Sequence, residues 1–160
     1  MDTKDFLEAI PDIDELDEKI LKLITKNARI PFLEVARECG VSGAAIHQRV
    51  QRLQNIGVLS GSQFIVNPEK LGYNTCAYMG IYLDKAKYHN EVSEELQKIP
   101  EVVECHYTTG QYAILIKIQT KNNKHLKRII DEELQEIQGI SRTETFISLE
   151  TNFKRQVPIK

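Results

Sequence analysis

Residues 36–53 read ARECGVSGAAIHQRVQRL, and the fold of the N-terminal half follows from this stretch. Ala36 is small, so a following helix can cross close over the one that carries it. Gly40 comes four residues later and takes the positive φ that a sharp turn between helices demands. Ser42 is a good N-cap for a third helix running to about Asn55, and Gly57 ends it. Within that helix Ile46, Val50 and Leu53 share one face, suited to packing on two preceding helices. At 100° per residue, Ala44, Gln48, Gln51 and Asn55 point the other way. His47 and Arg52 flank this outward face, and Arg49 sits nearer the buried edge. This is helix-turn-helix spacing.

An outward face of amides, arginine and small residues suits a DNA major groove. Gln and Asn can pair with adenine edges, Arg with guanine, and Ala can touch a thymine methyl. The expectation is that Ala44, His47, Gln48 and Gln51 reach base edges. Ser42, Arg49 and Arg52 are expected at phosphates, Arg49 because of its flank position.

Upstream, Asp14 is an N-cap candidate with Asp17 three residues on. Leu16, Ile20, Leu23 and Ile24 then recur at helical spacing to about Asn27. Pro31 opens a short second helix that Gly40 ends. Downstream of Gly57, GVLSGSQFIV holds two short β-prone runs around Ser60, Gly61 and Ser62, which predicts a hairpin wing. The segment 67–74, NPEKLGYN, reads as a linker.

Beyond it the order is β-α-β-β-α-β. Strands are expected over 75–83, 102–108, 112–120 and 142–149. Val92, Leu96 and Ile99 mark one helix, stopped by Pro100. Leu126, Ile129, Ile130, Leu134 and Ile137 mark a second, ending at Gly139. Thr109, Gly110 and Gln111 form a tight turn. The predicted fold class is therefore α+β: a winged helix-turn-helix domain over 1–66, with 1–12 a flexible arm, and a ferredoxin-like βαββαβ domain over 75–160. Both faces of the strand around Tyr112, Ile114, Ile116 and Ile118 carry apolar residues, because Ala113 and Leu115 point opposite. Two helices cover only one face of such a sheet, so a homodimer is expected.

Composition limits the alternatives. The 160 residues are 41% hydrophobic and 28% charged, as in ordinary globular proteins. No apolar run approaches the roughly 20 residues of a membrane span. The acidic start carries no signal-peptide pattern, so a cytoplasmic address is expected. Cys39, Cys76 and Cys105 are dispersed and odd in number, which fits a reducing compartment. The net charge of −2 is unpromising for a nucleic-acid partner, but its distribution is uneven: residues 40–67 contain no Asp or Glu. His47, His89, His106 and His125 are scattered and Cys-x-x-Cys is absent, so neither a metal nor another cofactor is expected. Cys105 and His106 would point to opposite faces of a strand and cannot act as a nucleophile–base pair. No catalytic residue is assigned. The basic run 121–128, KNNKHLKR, reads as a loop and helix face.

Five stretches, in order, resemble the Lrp/AsnC (feast/famine) family of transcription regulators: IDELDEKIL from Ile13, the helix-turn-helix region from Asn27 to Gly61, NPEKLGY, TTGQYAILIKI and KRQVPI. The resemblance spans nearly the whole chain. It implies that the ferredoxin-like part is a RAM domain, which dimerises through its sheet and often assembles into tetramers or octamers. It implies an amino acid or related metabolite bound between subunits, and double-stranded DNA operators of paired half-sites. Carried over, the effector turn is Thr108, Thr109, Gly110, Gln111 and Tyr112, with Thr145 on the last strand as a further candidate. Two departures stand out. The family turn commonly continues Gly-x-x-Asp, where this chain has Ala113 and so lacks a carboxylate for an effector's ammonium. The wing has Ser62 and Gln63 where an aromatic is common. Two other functions share the architecture: a sirohaem decarboxylase-like tetrapyrrole enzyme, which would need His106 and Arg142 to converge, and a sensing or assembly protein without DNA binding.

Overall fold

The computed structural model describes residues 11–159; the expected arm lies, up to residue 10, outside them. The chain divides into two compact units. One contains the described residues up to Ile65 together with the tail from Arg155, and the other spans Val66–Lys154. The last residues therefore group by contact with the first unit.

In the first unit three helices form, with caps at the starts of the first and third and a glycine at the end of the second. Helix α1 (Glu15–Lys26) starts with a reciprocal capping box: the Asp14 carboxylate accepts the Asp17 N–H at 2.9 Å, and the Asp17 carboxylate accepts the Asp14 N–H at 3.3 Å. Helix α2 (Phe32–Cys39) follows Pro31 and ends at Gly40, whose φ of 69° lets the Val41 N–H reach back to the Ala36 carbonyl. Helix α3 (Gly43–Asn55) is capped by Ser42, whose Oγ accepts the Ala45 N–H at 3.2 Å. Ile20, Val35, Ala36, Ile46 and Val50 form the buried cluster among the three helices, and Leu53 is buried as well. A fully buried Leu or Ile of this kind contributes about 1.5–3 kcal/mol.

The hairpin expected after Gly57 does not form. Residues 58–66 contain no strand, and Phe64, Ile65 and Val66 are exposed. A two-stranded ribbon is marginal without further strands or a packing surface, and Phe64 is engaged instead by Arg29, whose guanidinium stacks 4.2 Å from the ring centre.

The second unit is a four-stranded antiparallel sheet in the order β2-β3-β1-β4, from β1 (Thr75–Leu83), β2 (Val102–Tyr107), β3 (Ile114–Thr120) and β4 (Ile140–Ser148). Helices α4 (His89–Gln97) and α5 (Asn123–Ile129), the latter extended by a π-helical turn at Ile130–Leu134, complete the βαββαβ order. Alternation on the pleat sends Ala77, Met79, Ile81, Ile114, Ile116 and Ile118 to one face, where Val92, Leu96, Leu126, Ile129 and Leu134 cover them. Tyr78, Gly80, Tyr82, Leu115 and Lys117 occupy the other face. No helix among the described residues is long and apolar enough to cross a membrane.

Candidate nucleic-acid interface and effector turn

Helix α3 presents two chemically different flanks. Ile46, Val50 and Leu53 face inward, while Ala44, His47, Gln48, Gln51, Gln54 and Asn55 are exposed. Gln51 donates to Asn55 Oδ1 at 3.2 Å along this outer row, and the His47 ring lies 6.1 Å from that of Phe32. The N-cap Ser42 is exposed at the start of the helix, where backbone N–H groups and the helix dipole favour an anion.

Arg49 and Arg52 lie on the opposite flank from His47 and are both engaged by α1. Arg49 Nη1 donates to Asp14 and, at 3.2 Å, to Asp17 Oδ1. Arg52 Nη1 donates to Asp17 Oδ2 at 2.8 Å, and its Nη2 donates to the Asp12 carbonyl at 2.6 Å. The Asp17 side chain is wholly buried. The hydrogen bond from the Asp17 N–H, seconded by that from Arg49, holds the Asp14 carboxyl below the usual carboxylate range, and Asp14 in turn raises the Arg49 guanidinium. Both guanidiniums are thus paired with groups at the start of α1.

In the second unit the turn after β2 is closed on itself. Thr108 donates its N–H to the Ala113 carbonyl at 2.9 Å and its hydroxyl to the Tyr112 carbonyl at 2.6 Å. Gly110 adopts φ 123°, a conformation open to glycine. Gln111 Nε2 donates to the Tyr82 hydroxyl at 2.8 Å, leaving the exposed Thr109 and the Gly110 backbone as the turn's outermost groups.

Tyr112 does not join the apolar row of Ile114, Ile116 and Ile118, as alternation had suggested. Strand β3 begins two residues later, and the Tyr112 ring folds over Gly80 on the sheet's other face. There its hydroxyl donates to Glu144 Oε2 at 2.8 Å, while Tyr82 and Arg142 both donate to Glu144 Oε1. Thr145 pairs with Met79, so it lies on the helix-covered side of the sheet and is not brought to Gln111 and Tyr112. His106 and Arg142 stand on the two edge strands with β3 and β1 between them, and do not converge. Cys105 and His106 pair with successive residues of β3 and face opposite ways. In the basic run, His125 faces Glu101 at 3.3 Å and Lys127 pairs with Asp131.

Residues 13–54 match the AsnC-type helix-turn-helix domain, and residues 76–158 match the Lrp/AsnC ligand binding domain. The chain belongs to the Lrp/AsnC family. The regulatory protein AsnC of Haemophilus influenzae is 40% identical over 145 residues, covering 91% of this chain and 97% of that protein. The structure of Escherichia coli AsnC superposes with a TM-score of 0.88 at 35% identity, covering 92% of this chain and 99% of that one. A transcriptional regulator from Neisseria meningitidis, solved as its L-Met complex, shares the fold with a TM-score of 0.86 at 19% identity, covering 92% and 97%. This Lrp/AsnC protein is thus a transcriptional regulator with a DNA-binding and a ligand-binding part, and not an enzyme. In this Lrp/AsnC chain, sequence reasoning missed Asp14, Asp17 and Glu144. The sequence marks Asp14 as an N-cap and Asp17 as an acid in the first turn, but nothing local connects them to arginines more than 30 positions away.

Proposed function

We propose that the protein reads double-stranded operator DNA with the outer row of α3. Ala44, His47, Gln48 and Gln51 reach base edges, and Ser42 with the helix N-terminus meets a phosphate. The observation that carries this reading is the division of α3 into a buried apolar face and an exposed row of amides and small residues on a capped three-helix unit. Mobility shift on the DNA upstream of its own gene tests it. Gln48→Ala is expected to weaken binding about 5- to 100-fold, the size of one lost base contact. Wild-type protein that shifts no fragment at low salt would sink it.

The sheet face bearing Tyr78 and Phe146, both exposed, is the self-association surface. A dimer built on it is the unit from which tetramers or octamers assemble, in the cytoplasm with the chromosome. The turn at 108–112 binds an amino acid or related metabolite. The exposed Thr109 hydroxyl and Gly110 backbone, and the bound L-Met of the meningococcal regulator, favour that class. Because Ala113 supplies no carboxylate, the ligand's ammonium is met by other groups. A thermal-shift screen of amino acids checks this, and Gly110→Val should abolish any shift.

A further inference from the structure

Asp17 is the one carboxylate among the described residues that is fully buried, and its two oxygens are divided between two arginines of the recognition helix. We propose that Asp14 and Asp17 are positioning residues of the DNA interface. Through Arg49 and Arg52 they set the rotation of α3 on α1, while the two guanidiniums make no phosphate contact. The proposal rests on α3 being the recognition helix.

Four observations converge on it. Ile46, Val50 and Leu53 set by apolar contact which face of α3 is buried, and the ion pairs act at the edge of that face. Charge-assisted hydrogen bonds are directional, and here they come from residues one turn apart on each helix: Asp14 and Asp17 on one, Arg49 and Arg52 on the other. Moving either arginine to a phosphate would leave the buried Asp17 without that partner, and stripping a buried charge of its partner is strongly unfavourable. The Asp14 side chain, 48% exposed, neutralises Arg49, so this pair offers an approaching phosphate no net positive charge. The duplex backbone is then expected beyond the other flank, on the His47 side.

The test is titration of full-length wild type, Asp17→Asn, Arg49→Ala and Arg52→Ala onto the upstream fragment and an unrelated duplex, over a salt series. All three variants are expected to bind the upstream fragment about tenfold more weakly. Their affinity for the unrelated duplex and the slope of log K against log salt should match wild type, because no phosphate contact is lost. A slope shallower by about one in Arg49→Ala or Arg52→Ala would overturn the proposal, since those arginines would be neutralising phosphates. Tighter binding with a steeper slope in Asp17→Asn would overturn it too, by showing the arginines to be masked phosphate ligands. If circular dichroism shows Asp17→Asn unfolded, Arg52→Lys carries the test with the same expectations, because a single ammonium cannot hold both Asp17 and the Asp12 carbonyl in the same geometry. Variants that match wild type on the upstream fragment sink this proposal alone. Wild type that binds no duplex sinks the DNA reading and this proposal with it.

Discussion

Gly80 lies directly beneath Tyr112: a Cβ built on Gly80 would stand 2.4 Å from Tyr112 Cδ1. The glycine is needed for that clearance and not for its backbone angles, because it sits inside β1 in ordinary extended geometry. Its missing side chain lets the segment after the 108–112 turn fold back on the sheet.

Gly80→Ala should therefore displace the Tyr112 ring and release its bond to Glu144. A stability loss of about 1–3 kcal/mol is expected from the overpacking. Denaturant melts would measure it, and the double variant Gly80→Ala/Tyr112→Ala should recover most of it. A double variant no more stable than Gly80→Ala would refute the steric account.

The Tyr112–Glu144 bond also has a pH signature. The phenol's hydrogen bond, larger than the opposing effect of burial, holds the Glu144 carboxyl below its usual range, and Glu144 pushes the Tyr112 phenol up. A depressed folded value means that Glu144's contribution is present above the unfolded carboxylate range and is lost as pH falls through the depressed value. The raised Tyr112 value means that its contribution is present below the ordinary phenol range and is lost as pH rises through the raised value. Tyr112→Phe should move the Glu144 midpoint upward in a carboxyl NMR titration. An unmoved midpoint would show that the bond does not persist in solution.

Ser42 caps α3 and, in the proposed DNA interface, also meets a phosphate; substitution can separate the two. As N-cap of α3 its loss in Ser42→Ala should cost about 1 kcal/mol, whereas Ser42→Gly should cost only a few tenths. Both remove the hydroxyl from a phosphate. Equal loss of DNA affinity in the two variants, despite unequal melting temperatures, is the expected result. Affinity that tracks stability would leave the hydroxyl with a capping role only.

Leu53 is fully buried at the inner face of α3. Leu53→Ala should cost about 2–5 kcal/mol through the cavity it leaves. Thermal unfolding followed by circular dichroism checks this, and a loss under 1 kcal/mol would mean that α3 is held chiefly by its arginines.

Self-association through the open sheet face predicts that Phe146→Asp, half-exposed beside Tyr112, lowers the oligomer mass in sedimentation without unfolding the chain. An unchanged mass would move the interface elsewhere.

What the sequence determined by itself is local. Asp14, Gly40 and Ser42 end or begin helices through bonds to residues within five positions, and alternation along 75–83 and 114–120 assigns a buried face. Such signals are legible because the partner lies within a turn or on the same pleat. Even so, periodicity overreached where an element lacked neighbours: residues 58–66 are β-prone but have no third strand to pair with, and so stay unpaired.

Tertiary structure alone decided three things. Arg49 and Arg52 turn to Asp17 because α1 delivers a buried carboxylate 32 to 35 positions away. Tyr112 leaves the apolar row because Gly80, on another strand, opens a slot on the opposite face. Thr145 takes the far side of the sheet from Tyr112 because register pairs it with Met79, and one residue of register exchanges the two faces. Each depends on which distant groups the packed chain brings within hydrogen-bonding or van der Waals reach, a property that no window of sequence contains.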